Sequence, residues 1–134
     1  MAGTFTLRVV SPEGNVLKEE AEFVVLPGET GEIGILPNHA PLITAMAIGV
    51  IRYTVNGSVH RISTSGGFVE VADNKVTILA DTAERGEMID LERAMAAKER
   101  AEKRLSQKLQ DVDFRRAELA LSRALARINA AQNK

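Results

Sequence analysis

Cysteine and tryptophan are both missing from the 134 residues. Without cysteine there is no disulfide framework, no thiolate-held zinc or iron–sulfur cluster and no thiol nucleophile. The absence fits a reducing compartment. Aromatic residues make up 4% of the chain, too few for an aromatic cage or a base-stacking platform. There is no surplus of positive charge: 17 Lys and Arg stand against 18 Asp and Glu, for a net charge of −1. That excludes a nucleic-acid binder working by bulk charge. No apolar run approaches the roughly 20 residues that a membrane-spanning helix requires. The longest apolar-rich stretch, Pro41 to Ile51, is short and contains Gly49. Met1 to Arg8 lacks the basic flank and apolar core of a signal peptide. The sequence therefore reads as a soluble protein, held at a membrane only through something else.

What is present is an ordinary globular balance, 45% hydrophobic and 26% charged. The length suits one domain, or a small domain with an appendage. The averages conceal a break. Residues 1–84 carry five basic and ten acidic side chains, a net of −5. Residues 85–134 carry twelve basic and eight acidic, a net of +4. All four prolines lie at or before Pro41, and nine of the ten glycines precede residue 85. The composition predicts β-structure over residues 1–86 and two helices over 87–134, with the boundary near Arg85-Gly86-Glu87.

Period-two alternation marks strands in the first part. Phe5, Leu7 and Val9 alternate with Thr4, Thr6 and Arg8, ending at Ser11-Pro12-Glu13-Gly14. Phe23–Leu26 stops at Pro27-Gly28, and Ile33–Leu36 at Pro37-Asn38. Val50–Val55 and Val59–Ser63 flank Asn56-Gly57, the strongest short hairpin signal. Phe68–Val71 follows Gly66-Gly67, and Asp73-Asn74 turns the chain into Val76–Leu79. Seven or eight short strands predict a β-sandwich or flattened barrel.

The second part reads as an α-helical hairpin. Asp90 is the candidate N-cap of a helix from Leu91 to about Gln107. Asp111 or Asp113 caps a second helix reaching about Ala131. Phe114, Ala117, Leu121, Ala124, Ile128 and Ala131 fall on one heptad seam. Leu91, Ala94, Met95, Ala101 and Leu105 give a weaker stripe on the first helix. Alanine contacts permit close approach but bury little area. The hairpin is thus expected to be marginal and able to detach, as a switch does.

Catalytic signatures are missing. There is no G-x-x-x-x-G-K-[ST], G-x-G-x-x-G, H-E-x-x-H or G-x-S-x-G. His39 and His60 lie in different segments, without a carboxylate at metal-ligand spacing, and read as surface or turn histidines. Ser65-Gly66-Gly67 lies between strands, so it reads as a turn or bulge and not as a phosphate nest.

One string is not generic. Gly31-Glu32-Ile33-Gly34-Ile35-Leu36-Pro37-Asn38-His39-Ala40-Pro41-Leu42 closely resembles the signature loop of the epsilon subunits of bacterial rotary, F-type proton-translocating ATP synthases. The likeness continues through Ser65–Val71, Val76–Ala80 and the helices, over essentially the whole chain. It implies a ten-stranded sandwich with two helices, placed in the central stalk against the gamma subunit and the c-subunit ring. It implies a non-catalytic rotor subunit, peripheral to the cytoplasmic face of a bacterial membrane, that couples proton flow to ATP synthesis and restrains ATP hydrolysis. Glu32 would then meet a basic loop of the c ring, and His39 would lie near gamma. The basic hairpin, when raised, would carry Arg115, Arg116, Arg123 and Arg127 to the acidic rim of the catalytic alpha/beta head. The plainer reading of these charges is a solvated face with local pairs such as Glu99–Lys103 and Glu118–Arg116.

Ile89-Asp90-Leu91-Glu92-Arg93-Ala94 also resembles the six-residue pattern that marks ATP binding in some epsilon subunits; Ile89, Asp90, Arg93 and Ala94 fill its four fixed places. The resemblance adds Glu84 upstream and Arg100, Arg123 and Arg127 along the helices. Arg93 and Arg100 are seven apart and Arg123 and Arg127 four apart, so each pair shares a helix face. A folded hairpin would focus these guanidinium groups on a triphosphate. Glu84 and Asp90 would accept from ribose hydroxyls, and the backbone at Ile89 would read the adenine edge. ATP enters as a regulatory ligand that releases inhibition, not as a catalytic cofactor. The alternatives are a free-standing ligand-binding β-sandwich with a helical tail, which requires a closed apolar pocket, and a hydrolase, for which no residues argue.

Overall fold

A computed structural model describes residues 3–107 and 110–132. In β1 (Phe5–Ser11), Phe5, Leu7 and Val9 are buried while Arg8 faces solvent. This is the period-two pattern of a strand with one face on the core. β2 (Gly14–Ala21) returns beside it, with a register shift between Val9 and Val10 that marks a bulge. β3 (Phe23–Gly28) and β4 (Gly31–Ile35) form the next hairpin, and β5 (Leu42–Met46) follows the signature loop.

β6 (Gly49–Val55) and β7 (Ser58–Thr64) pair around Asn56-Gly57, with Val55 opposite Ser58. Both turn residues have positive φ, 49° and 80°, which is the geometry a two-residue hairpin turn demands and Asn-Gly tolerates best. β8 (Gly67–Ala72) and β9 (Lys75–Ala80) pair in the same way around Asp73-Asn74, at φ 50° and 59°. β10 (Ala83–Arg85) closes the set.

The ten strands form two sheets, ordered β2-β1-β9-β8-β5 and β10-β7-β6-β3-β4. All pairings are antiparallel except β1 with β9. The interior is filled by facing side chains: Phe5, Leu7, Val69 and Ile78 from one sheet, Val24, Leu26, Ile35, Ile51 and Ile62 from the other. Each fully buried aliphatic contributes about 2 kcal/mol. β2, β5 and β10 are the strands that alternation did not reveal.

At Gly67 the backbones of β8 and β9 touch so closely that a Cβ would overlap the Leu79 carbonyl oxygen. Gly66 and Gly67, with φ at 113° and 142°, carry the chain from β7 in one sheet directly into β8 in the other, so Ser65-Gly66-Gly67 is an extended crossing and not a tight turn. The Thr64 hydroxyl accepts from Gly66 N at 3.2 Å.

A single 3-10 turn, Gly86–Met88, leads to α1 (Leu91–Leu105) and α2 (Asp111–Gln132). Asp90 caps α1, its Oδ1 accepting from Arg93 N at 3.1 Å. Asp113 lies inside α2 and is not its cap. The Asp111 side chain is outside what the structure describes. α2 lies between α1 and the β6–β7 face of the second sheet.

That position corrects the heptad reading. Ala117, Ala124 and Ala131 are buried, as the seam requires, but Ala126 and Ala130 are buried too, and Phe114 is 42% exposed. A helix covered on two sides needs two apolar stripes, not one seam. On α1, Ala94 and Ala101 are buried and Leu91 and Leu105 half-buried, while Met95 is 49% exposed and stands outside the stripe. Ile89, Ala94, Ala130 and Ala131 form a small second core with Val50, Leu91 and Ile128. It fastens the ends of the hairpin to the sheet.

Candidate functional site

A cleft of about 450 Å³ opens between the sandwich edge and the hairpin. Ser63, Thr64, Ser65, Thr82 and Glu84 line it from the sandwich, around β7 and β10. From α1 come Ala97, Arg100, Ala101 and Arg104. From α2 come Arg116, Ala117, Ala120, Arg123, Ala124 and Arg127. Alanine keeps the helices close and the floor low, while the arginines rise around it. Five guanidinium groups and one carboxylate therefore surround a single space.

Glu84 and Arg127 are already paired. Arg127 Nε stands 2.8 Å from Glu84 Oε1, and its Nη2 donates to Oε2 at 3.3 Å. One hydrogen bond and one close charge contact tie β10 to the last third of α2. Arg100, Arg104, Arg116 and Arg123 make no ion pair with another described residue. Like charges gathered without partners repel one another, and a polyanion between them would relieve that repulsion.

Of the sequence-derived set, the structure brings Glu84, Arg100, Arg123 and Arg127 to one cleft. It does not bring Ile89, Asp90, Arg93 or Ala94 into the lining. Ile89 and Ala94 are buried in the second core, Asp90 is engaged as the α1 cap, and Arg93 is exposed. These four build the joint from which α1 departs.

Arg104 and Arg116 are lining residues that the sequence reading missed or placed elsewhere. The signal was available, because Arg116, Ala120, Arg123 and Arg127 recur at spacings of 4, 3 and 4, a single helical stripe. Arg115 points elsewhere, 70% exposed, with Glu118 3.8 Å away. Glu118 thus meets Arg115 at helical spacing and not Arg116, since positions two apart face different ways on a helix. No Glu99–Lys103 ion pair forms among the described residues.

The signature loop has its own anchors. Glu32, on β4, is held by Arg52 of β6 at 2.7 and 3.3 Å. The hydrogen bond from Arg52, and then its charge, hold the Glu32 carboxyl below the usual carboxylate value. Glu32 is therefore not a merely solvated carboxylate. His39 is half-buried, and its Nδ1 lies 2.6 Å from its neighbour's carbonyl at Ala40, so Nδ1 is the donor. Asn74 pins the loop from outside: its Oδ1 accepts from Asn38 N at 2.8 Å and its Nδ2 donates to Thr4 O at 2.9 Å. His60, the other histidine, stacks on Tyr53 across β6 and β7 with ring centres 5.2 Å apart. Burial pushes the Tyr53 phenol up, the nearby Arg85 charge opposing it in part.

A ten-stranded sandwich, a hairpin laid along its edge and a cationic cleft between them define a two-part class, β then α. Family models for both parts match this chain: "ATP synthase, Delta/Epsilon chain, beta-sandwich domain" over residues 4–86, and "ATP synthase, Delta/Epsilon chain, long alpha-helix domain" over residues 87–132. The ATP synthase epsilon chain of Desulfitobacterium hafniense is 80% identical over 133 residues, 99% of this chain and 100% of that one. That of Desulforamulus reducens is 52% identical, over 98% of this chain and 100% of that one. Among solved structures, a chain of the Euglena gracilis mitochondrial ATP synthase, OSCP/F1/c-ring, superposes with a TM-score of 0.84 at 26% identity. That match covers 98% of this chain and 83% of the other.

The chain belongs to the ATP synthase delta/epsilon family, as an epsilon subunit of the bacterial F-type kind. It is a non-catalytic stalk subunit of an enzyme complex. Among the described residues no helix is long and apolar enough to cross a membrane, which fits a peripheral component of that complex.

Proposed function

We propose that the sandwich links the gamma subunit to the c-subunit ring and turns with them on the cytoplasmic face of the bacterial membrane, coupling proton flow to ATP synthesis. The hairpin is a nucleotide-sensitive brake on hydrolysis. The observation that carries this reading is the convergence of Glu84, Arg100, Arg123 and Arg127 on one cleft between the two parts.

ATP held there as a regulatory ligand bridges α1, α2 and the sandwich edge and so favours the compact form. When ATP is scarce, repulsion among the arginines favours release of the hairpin. Arg115, Arg116, Arg123 and Arg127 then reach the acidic rim of the alpha/beta head and stop rotation. The motif residues Ile89, Asp90, Arg93 and Ala94 build the joint from which α1 departs, outside the cleft lining. Glu32 and His39 present the signature loop, Glu32 toward the c ring and His39 toward gamma. The small alanine-built second core is weak enough to open, consistent with a switch.

Calorimetric titration of the purified subunit with ATP and ADP, beside an Arg123→Ala variant, tests the sensor. Saturable ATP binding that weakens at least tenfold in the variant is the expected result. No heat and no change in melting temperature at millimolar ATP would rule the sensor out, leaving a coupling subunit whose brake obeys rotation or the proton gradient.

A further inference from the structure

Asn56-Gly57 is a turn signal, and it is also the dipeptide in which the main chain most readily attacks its own side chain. Glycine has no side chain to hinder the approach of its nitrogen, and its backbone rotates freely. Both residues are exposed at the tip of the β6–β7 hairpin, so water reaches the Asn56 amide.

The fold opposes that attack in two ways. Asn56 stands at φ 49°, in the left-handed region. Ring closure requires the Gly57 nitrogen to swing toward the Asn56 Cγ, which takes Asn56 out of that region. The second restraint comes from elsewhere in the chain. Gly57 N donates to Glu22 Oε1 at 2.8 Å. Glu22 lies at the corner between β2 and β3, and its own backbone N donates to Thr54 O at 2.8 Å, which fixes where its side chain starts. The carboxylate thus holds the proton on the nitrogen that would have to lose it, and its negative charge opposes that loss. Asn74 supplies a contrast. It too is left-handed, at φ 59°, but Lys75 follows it and both ends of its amide are engaged, Oδ1 accepting from Asn38 N and Nδ2 donating to Thr4 O.

We propose that Asn56 is the deamidation site of this chain and that Glu22 sets its rate, as a latch on the attacking nitrogen. In the step, Gly57 N gives its proton to solvent hydroxide and bonds to Asn56 Cγ. The Cγ–Nδ2 bond breaks, and the leaving nitrogen takes a proton from water and departs as ammonia. Water then opens the cyclic imide at either carbonyl, giving aspartate or isoaspartate in place of Asn56. Nothing is oxidised or reduced. Either product sets a second carboxylate near Glu22, and isoaspartate lengthens the main chain of a two-residue turn whose twist it no longer matches.

The test is a timed incubation of the folded full chain in mildly alkaline buffer, for wild type, Glu22→Ala and Glu22→Gln. Peptide mass mapping locates the conversion, and enzymatic methylation counts isoaspartate. Wild type should convert at Asn56 before any other asparagine. Glu22→Ala should convert there about tenfold faster, the scale of one hydrogen bond to a charged group, with Asn74 unchanged. Glu22→Gln, whose amide oxygen still accepts, should fall between the two. Amide exchange at Gly57 should speed in Glu22→Ala while the paired amides of β6 and β7 keep their protection. An unchanged or slower rate in Glu22→Ala, first conversion at another asparagine, equal acceleration at Asn74, or general loss of protection in β6 and β7 each overturns the proposal. So does an intact Asn56 in Glu22→Ala when a short Asn-Gly peptide in the same buffer has converted.

Discussion

The two parts of this molecule are held together by different physics. The sandwich is closed by large aliphatic and aromatic side chains from two sheets, seventeen residues deep in one cluster. The hairpin is fastened by a cluster of four buried residues, three of them alanine, and by an exposed-edge ion pair. Hydrophobic stabilisation follows the apolar area buried, so the first part is robust and the second marginal. The contrast suits a scaffold carrying a part that can let go.

The comparison breaks most severely at the scaffold. Leu7 is fully buried, and Leu7→Ala should cost about 3 kcal/mol, lowering the melting temperature of sheet and hairpin together. A hairpin signal that survives while the sheet melts would show that the helices do not depend on the scaffold.

The next largest effect should be confined to the hairpin. At Gly86 a Cβ would collide with the Ala130 carbonyl, so the final turns of α2 dock only against glycine. Gly86→Ala should cost about 1–3 kcal/mol by overpacking, speeding amide exchange in α2 while the strands stay protected. Equal loss of protection in both parts would erase the distinction drawn here.

Smaller changes sharpen it. Asp90→Ala removes the cap of α1 and should cost about 1 kcal/mol, read as fraying of its first turn by amide exchange. Glu84→Gln should weaken the docking of α2 by no more than about 1 kcal/mol, since the pair is partly exposed. Glu32 gives the smallest effect. Its carboxyl titrates lower in the folded chain than in the unfolded one, so the Arg52 pair stabilises above the ordinary carboxylate value. That stability is lost as pH falls through the depressed one. The melting-temperature gap between wild type and Glu32→Gln should therefore shrink below about pH 4.5, and a gap that widens there would contradict the assignment.

Legibility in the sequence followed the same division. Strands with one face on the core announced themselves by alternation, as in β1, and the Asn56-Gly57 and Asp73-Asn74 turns were unambiguous because both residues adopt positive φ. β2 was hidden because Lys18-Glu19-Glu20 all face solvent and the bulge in its partner breaks the pattern. β5 was hidden because Ile43 is 73% exposed, pointing away from the core. β10 is only three residues long.

The candidate site was half visible. Glu84, Arg100, Arg123 and Arg127, grouped through the resemblance, all line the cleft, but the place of Arg116 there depends on which side of α2 faces the sheet. A helix buried on two sides does not declare that in its period. Phe114 shows the cost of assuming one seam: its apolarity fits the heptad and its exposure does not.

The pairing of β1 with β9 has a consequence in time. These two strands lie side by side in the middle of their sheet, yet nearly seventy positions of chain separate them, Leu7 standing opposite Val76. During synthesis the first strand must wait unpaired on that side until the ninth has emerged. The sandwich therefore closes late and as a whole. The hairpin is made of near neighbours and can coil as soon as it appears. The part that forms most easily thus has nothing to rest on until the slower part has finished.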